Sequence, residues 1–236
     1  MSEKSDFAKQ LLGNFAIAQL FYGGVLHDGI RLGMGTGTTV KHVIDALFYI
    51  MRREHLKDVA VVPTSSDTLY RCYSLGIPTY SLDSPRIAGH LDLSIDGADR
   101  FDHKDNLIKG GGGALFREKI VAYNSDLFIV VAEEKKKTES LNCDFPIPIE
   151  VFPFAYKSVC LALEKKGMTF KLRSALSNES PLVTENGNYI IDAYYSKDLA
   201  IDPAKEEEEL NKIVGVVENG FFNGGKVGRV ISIANK

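Results

Sequence analysis

Two aspartates, Asp96 and Asp99, are separated only by Gly97 and Ala98 at the end of an alternating apolar stretch. Shortly after them, "NLIKGGGGALFREK" places Lys109 before four consecutive glycines, Gly110, Gly111, Gly112 and Gly113, and then Glu118. Paired acids, a fixed cation and a loop rich in close-approaching backbone amides are the parts needed to move protons on a small polar molecule. If the run after the glycines is helical, the neighbours of Glu118 at i−4, i−3, i+3 and i+4 are Ala114, Leu115, Val121 and Ala122, all apolar. An apolar setting disfavours the charged form of a carboxylate, which is what a general base working near neutral pH requires. The alternative is a glutamate whose stem packs on that face while its carboxylate pairs with a cation. Arg117 and Lys119 then point elsewhere on the helix, to solvent or an interface.

A second group is "GMGTGTT", residues 33–39. Gly35 and Gly37 let the backbone approach a ligand, and a helix start with the hydroxyls of Thr36, Thr38 and Thr39 offers donors to an anion such as phosphate. The motif is neither a P-loop nor a full G-x-G-x-x-G, so it does not support nucleotide binding; a plain strand-to-helix turn stays open as its structural reading. A turn-forming role likewise stays open for Asp96 and Asp99. The charge run "AEEKKK", residues 132–137, reads as a solvated loop whose place after a strand still allows one lysine to reach a phosphate. "KEEEEL", residues 205–210, reads as the solvated face of a helix.

The elements that must hold these groups alternate. "IRLGMG" leads into a helix with Val40, Val43, Ile44 and Leu47 at i, i+3, i+4 and i+7. "DVAVVPTSS" leads into "SDTLYRCYSLG", with Gly76 placed to close a helix. "HLDLSID" alternates as a strand, and residues 127–131 form a continuous apolar one. Strand and helix in turn predict a parallel sheet covered on both faces, an α/β architecture whose ligands bind beyond the strands' carboxyl ends. Near Asp144 the texture changes: a proline-interrupted strand, a helix at "FAYKSVCLALEKKG", strands at "TFKLR" and "YIIDAYY" with a hairpin-type turn at "ENGN", and a helix capped by Asp202 with Pro203 at its first position. This suits a small α+β domain with an antiparallel sheet. The final "VGVVENGFFNGGKVGRVISIA" returns to short buried strands that can rejoin the first domain.

Composition narrows the function classes. With 236 residues, a formal charge of −3 and 25% charged residues, the chain is an ordinary globular protein with no general attraction for nucleic acid. Cys72, Cys143 and Cys160 are odd in number and far apart, which fits reduced, buried thiols in a cytoplasmic protein. No apolar run reaches the ~18 residues of a membrane span, and the N-terminal stretch lacks a secretory apolar core. The five histidines form no ligand-spaced cluster, so neither a metal nor another cofactor is expected.

"GMGTGTT", "VPTSSDT", "SIDGADRF", "LIKGGGGALFREK" and "VVENGFF", in this order, closely resemble the ribose-5-phosphate isomerase A family over nearly the whole chain. The resemblance implies interconversion of D-ribose 5-phosphate and D-ribulose 5-phosphate in the non-oxidative pentose phosphate pathway, without metal or nucleotide. It implies Glu118 as the base acting through a cis-enediolate, Asp96 as the acid that opens the sugar ring, and Asp99 and Lys109 as groups holding hydroxyls and developing charge. Thr36, Thr38 and Thr39 match its phosphate loop, Lys136 its later lysine, and Lys9 an N-terminal lysine that reaches the phosphate. The implied fold is a Rossmann-like parallel-sheet domain, residues 1–143 and 219–236, with a ferredoxin-like α+β domain, residues 144–218, at the interface of a homodimer or homotetramer. Arg100 after Asp99, Lys135 before Lys136, the "TSSDT" segment and the stretch around His103 depart from the family's usual pattern and bear on affinity and pH optimum. A sugar-phosphate deaminase, a coenzyme A transferase relative and a sugar-phosphate sensor domain of a regulator are the competing readings. The DGAD motif and the KGGGGAL-x-RE loop disfavour the first two, and Asp96, Lys109 and Glu118 occurring together, with no helix-turn-helix segment, disfavour the third.

Overall fold

The computed structural model describes residues 3–142, 144–175, 180–196 and 199–233. Cys143, read above as a reduced thiol, lies outside the described residues; Cys72 and Cys160 are free and buried. In chain order the elements are α1 (Glu3–Tyr22), β1 (Arg31–Met34), α2 (Thr38–Arg53), β2 (Ala60–Pro63), α3 (Ser66–Leu75), β3 (Leu91–Asp96), β4 (Arg100–Phe101), β5 (Leu107–Ile108) and α4 (Leu115–Tyr123). They continue with β6 (Ser125–Glu133), β7 (Ile147–Val151), α5 (Tyr156–Lys165), β8 (Thr169–Leu172), β9 (Tyr189–Tyr194), α6 (Pro203–Asn211), β10 (Val216–Asn219), β11 (Phe221–Phe222) and β12 (Arg229–Ile233).

The chain divides into two compact units. The first comprises Met1–Ala98, Arg117–Lys136 and Lys226–Lys236. Its five-stranded sheet has the order β12-β6-β3-β1-β2, with every pair parallel. A parallel sheet covered on both faces needs strands apolar on both sides, and Phe128, Ile129, Val130, Val131 and Ala132 of β6 are all buried. On α2 the i, i+3, i+4, i+7 set of Val40, Val43, Ile44 and Leu47 is buried, as its spacing requires. Ser65 caps α3 by accepting from the Thr68 amide, and Gly76 ends it in the left-handed region at φ 70°. α1 had no counterpart in the sequence reading: Leu12, Ala16, Ile17 and Leu20 are buried while Phe7, Leu11 and Phe15 are exposed, so apolar residues occupy opposite faces and leave no amphipathic stripe to detect.

The second unit comprises Asp99–Phe116 and Lys137–Gly225. Residues 99–116, 137–142 and 219–225, which the sequence reading groups with the first domain, belong here, where β5 pairs with both β4 and β11. A four-stranded antiparallel sheet, order β10-β7-β9-β8, carries α5 and α6. Its core includes Ile147, Ile149, Val151, Val159, Leu163, Ile191 and Leu210. Asp202 caps α6 through the Ala204 amide at 3.2 Å, with Pro203 in the first turn. The helix corrects one expectation: "KEEEEL" is not a fully solvated face. Glu207 is buried, and Glu206 accepts from the Tyr195 hydroxyl and pairs with Lys166 at 3.2 Å, because the acids around the helix cannot all face outward.

Candidate active site

In the first unit, β1 runs parallel to β3 from Leu32↔Leu93 to Met34↔Ile95, so Gly35 and Asp96 follow at adjacent strand ends. Their proximity explains the glycine: a Cβ at position 35 would lie 1.9 Å from the Asp96 Cγ. Asp96 is buried, and its Oδ1 accepts from the amides of Thr36 at 3.2 Å and Gly97 at 2.7 Å. The carboxylate is thereby fixed at the sheet's C-terminal edge, where open parallel sheets bind ligands.

The 33–39 loop is also tied to the end of β2. Thr36 Oγ1 lies 2.8 Å from Thr64 Oγ1 and donates to Ser65 Oγ at 2.7 Å, while Thr68 Oγ1 donates to the Gly35 carbonyl at 2.6 Å. Thr64, Ser65 and Thr68 were not singled out from sequence. Their signal is the run of hydroxyls in "VPTSSDT", after the strand next to β1. Gly37 precedes α2 and makes no side-chain cap, so the first-turn amides near Thr38 and Thr39 keep the donor character that suits an anion. Thr38 is exposed and Thr39 buried. Lys9 of α1 is buried and donates from Nζ to Thr38 Oγ1 at 2.9 Å. Lys136 Nζ donates to the Ala98 carbonyl at 2.6 Å, two residues past Asp96.

Glu118 lies in the first half of α4 and is 4% exposed, with Val121 and Ala122 also buried. Lys119, expected to point to solvent or an interface, is instead 4% exposed, with Nζ 5.9 Å from the Tyr123 ring centre. This nine-residue helix buries more than one stripe, and the lysine's stem and an aromatic face allow an ammonium into such a place. Lys135, next to Lys136, is drawn to Glu133 at 2.9 Å.

In the second unit, Lys109 follows β5. It is buried, its amide donates to the Gly220 carbonyl at 2.8 Å, and its Nζ lies 5.5 Å from the Phe222 ring centre. Asp99 Oδ2 accepts from the Gly111 amide at 2.7 Å. Gly110 sits at φ 99°, a conformation that favours glycine, and its carbonyl accepts from the Gly113 amide at 3.0 Å, closing the loop as a turn. The loop is clamped by a residue without local sequence signal. Arg173 Nη1 donates to the carbonyls of Gly110 at 2.8 Å and Gly111 at 3.2 Å, while its Nε and Nη2 hold Asp192. Only the β8–β9 pairing brings residues 173 and 192 together. Arg100, which departs from the family pattern, bonds the Asp99 carbonyl at 2.8 Å and stacks 4.9 Å from the Phe145 ring centre. His103 is exposed in a turn organised by Asp102, which accepts from the amides of Lys104 and Asn106.

Among the described residues no group of three or more His, Cys, Asp or Glu side chains is placed to hold a metal ion, and no helix is long and apolar enough to cross a membrane.

The first unit's sheet edge, with its amide-rich loop and buried Asp96 carboxylate, has the form of an α/β enzyme. The family model for ribose 5-phosphate isomerase A (phosphoriboisomerase A) matches residues 60–236. The ribose-5-phosphate isomerase A of Treponema denticola is 48% identical over 214 residues, covering 91% of this chain and 90% of that protein. The chain belongs to the ribose-5-phosphate isomerase A family and is an isomerase. The solved structure of ribose 5-phosphate isomerase A from Methanocaldococcus jannaschii is 37% identical, with a TM-score of 0.85 over 95% of this chain and 93% of that one. A D-ribose-5-phosphate isomerase solved in complex with phospho-erythronic acid is 35% identical, with a TM-score of 0.87 over 99% and 96%.

Proposed function

We propose that this chain interconverts D-ribose 5-phosphate and D-ribulose 5-phosphate through a cis-enediolate, with Glu118 as the general base. The carrying observation is Glu118 itself: a carboxylate 4% exposed on a short helix beside buried Val121 and Ala122, in a chain of this family. Asp96 assists opening of the furanose ring. In the open aldose Glu118 removes the C2 proton, the electron pair forms the C1–C2 double bond, and negative charge collects on the C1 oxygen. Return of the proton to C1 and transfer of the O2 proton to the C1 oxygen give the ketose. Lys109 and the amides of residues 110–113 stabilise the charge on oxygen, Asp99 holds sugar hydroxyls, and fixed donors do this without the reorganisation that water would need.

The phosphate is received by the α2 N-terminus with Gly35, Thr36, Gly37, Thr38 and Thr39, supported by Lys9 and Lys136. Binding energy from this non-reacting group positions C1 and C2. The phosphorylated sugar acid held by the solved relative is consistent with such an anchor. The test is ketopentose phosphate formation from ribose 5-phosphate in EDTA, comparing wild type with Glu118→Gln. Activity that survives the chelator and falls by about 100-fold or more in the variant supports the assignment. An undiminished variant removes Glu118 as the base. An inactive wild type that still binds ribose 5-phosphate removes the substrate assignment.

A further inference from the structure

Asn219 is fully buried at the corner between β10 and β11, and both polar atoms of its side chain are engaged. Its Oδ1 accepts from the Phe221 amide at 3.1 Å, across its own turn. Its Nδ2 donates to the Glu207 carbonyl at 2.9 Å and to Asn211 Oδ1 at 2.8 Å, both on α6. Asn211 in turn donates to Glu218 Oε1 at 2.8 Å, so the end of the helix is tied to the strand just before the corner as well. A buried amide satisfied on both its oxygen and its nitrogen holds the backbone around it in one conformation.

The corner holds Lys109. The Gly220 amide donates to the Pro148 carbonyl at 2.7 Å, and the Gly220 carbonyl accepts from the Lys109 amide at 2.8 Å. The fit leaves no room: a Cβ at position 220 would stand 2.4 Å from the Lys109 carbonyl oxygen and 2.7 Å from Pro148 Cδ. Two residues on, the fully buried Phe222 ring lies 5.5 Å from the Lys109 ammonium, within reach of cation–π attraction. Residues 220 and 222 therefore place the main chain and the charged end of the same lysine, and Asn219 ties both down. All of these residues belong to the second unit.

We propose that Asn219 is a positioning residue for the reaction, holding the 219–222 corner so that the Lys109 ammonium stands where negative charge develops on the sugar oxygen. This role rests on the one proposed above for Lys109. It has a specific kinetic consequence. A cation that meets charge only in the transition state acts on kcat, whereas the phosphate, assigned to residues outside this corner, contributes binding that is the same in ground and transition states. A misplacement of about 1 Å costs on the order of 100-fold in rate. An asparagine that served the fold alone would change how many molecules are folded and leave the folded ones fully active.

The test is a double-mutant cycle in steady-state isomerisation of ribose 5-phosphate, with Lys109→Met, Asn219→Ala and the two combined, each rate divided by the folded fraction from urea unfolding. Asn219→Ala is expected to lower kcat by about 10–100-fold with KM little changed. In the Lys109→Met background the same substitution is expected to cost no more than about 2-fold, because the group it positions is gone. Phe222→Leu, which removes the ring face and keeps most of the packing, takes the place of Asn219→Ala in the cycle if that variant does not fold. Losses that multiply, so that the corner substitution costs as much without Lys109 as with it, overturn the proposal in favour of a purely structural corner. Wild-type kcat in the folded single variants overturns it too. If Lys109→Met itself keeps wild-type activity, the role of Lys109 falls and that of Asn219 with it, while Glu118 is untouched. A wild type that does not isomerise ribose 5-phosphate removes the substrate assignment and both roles together.

Discussion

Arg173 gives the sharpest test of how the glycine loop is held. Its guanidinium is shared between Asp192 and the carbonyls of Gly110 and Gly111, and the two side chains are only 14% and 8% exposed. Arg173→Lys keeps the charge for Asp192 and loses the fork that reaches the loop. Two charge-assisted bonds at 2.8 and 3.2 Å are worth about 1.5–3 kcal/mol each when dry. Gly111 is exposed, so water recovers part of this, and about 1–2 kcal/mol is expected for both. If that energy orders the loop for catalysis, kcat/KM for ribose 5-phosphate falls by about 5–30-fold at 25 °C. Arg173→Met is worse for stability, because it leaves Asp192 charged and buried, at a cost of about 3–5 kcal/mol in urea unfolding. The double variant Arg173→Met/Asp192→Leu removes both charges and is expected to regain most of that stability. It is not expected to regain activity, since the loop carbonyls stay unclamped. A double variant that is stable and as active as wild type refutes the positioning role and leaves Arg173 a structural ion-pair partner.

Other outcomes follow from the same structure. Gly35→Ala puts a methyl 1.9 Å from the Asp96 carboxyl carbon, so the variant is expected to lose about 1–3 kcal/mol on thermal or urea unfolding and most of its activity; wild-type activity would show that Asp96 can move freely. Burial pushes the Cys72 thiol up from 9.0 to about 11. Above pH 9 the unfolded chain therefore releases a proton that the folded chain keeps, and stability falls as pH rises from 9 to 11, by up to about 3 kcal/mol from this group. Urea unfolding at pH 7 and pH 10.5 should show the alkaline loss reduced in Cys72→Ala; an equal loss in both proteins counts against the buried neutral thiol.

What could be read from the chain depended on whether its signals were local. The apolar spacing on α2, the Ser65 and Gly76 boundaries of α3 and the Asp202–Pro203 start of α6 are each complete within a few residues. α1 escaped detection because apolar side chains on opposite faces cancel the periodicity. β4, β5 and β11 have two residues each, too few for any alternation, and so the grouping of residues 99–116 with the second sheet system was hidden. Asp96, Lys109 and Glu118 stand out from their motifs, Glu118 also from its apolar helical neighbours, and each is buried, the first and last in the first unit and Lys109 in the second. Arg173 and the hydroxyls of Thr64, Ser65 and Thr68 do not, because their function is to hold other residues through contacts that only strand pairing creates. Lys119 shows the converse error: helical spacing told which way it pointed from Glu118 but not what packs there.

The discontinuous first unit also constrains how the protein can be made. β6 is among the most apolar strands, yet its neighbour β12 begins at Arg229, almost a hundred residues later. At about 5–20 residues per second, a ribosome needs roughly 5–20 s to span that gap. During that interval one edge of β6 has no native partner, so the nascent chain carries an open, sticky strand while the whole second unit is being synthesised. The need for chaperones is therefore greatest while the second unit is being made, and longest where translation is slow, and a stop codon placed just before residue 229 should yield aggregates in place of a smaller working protein.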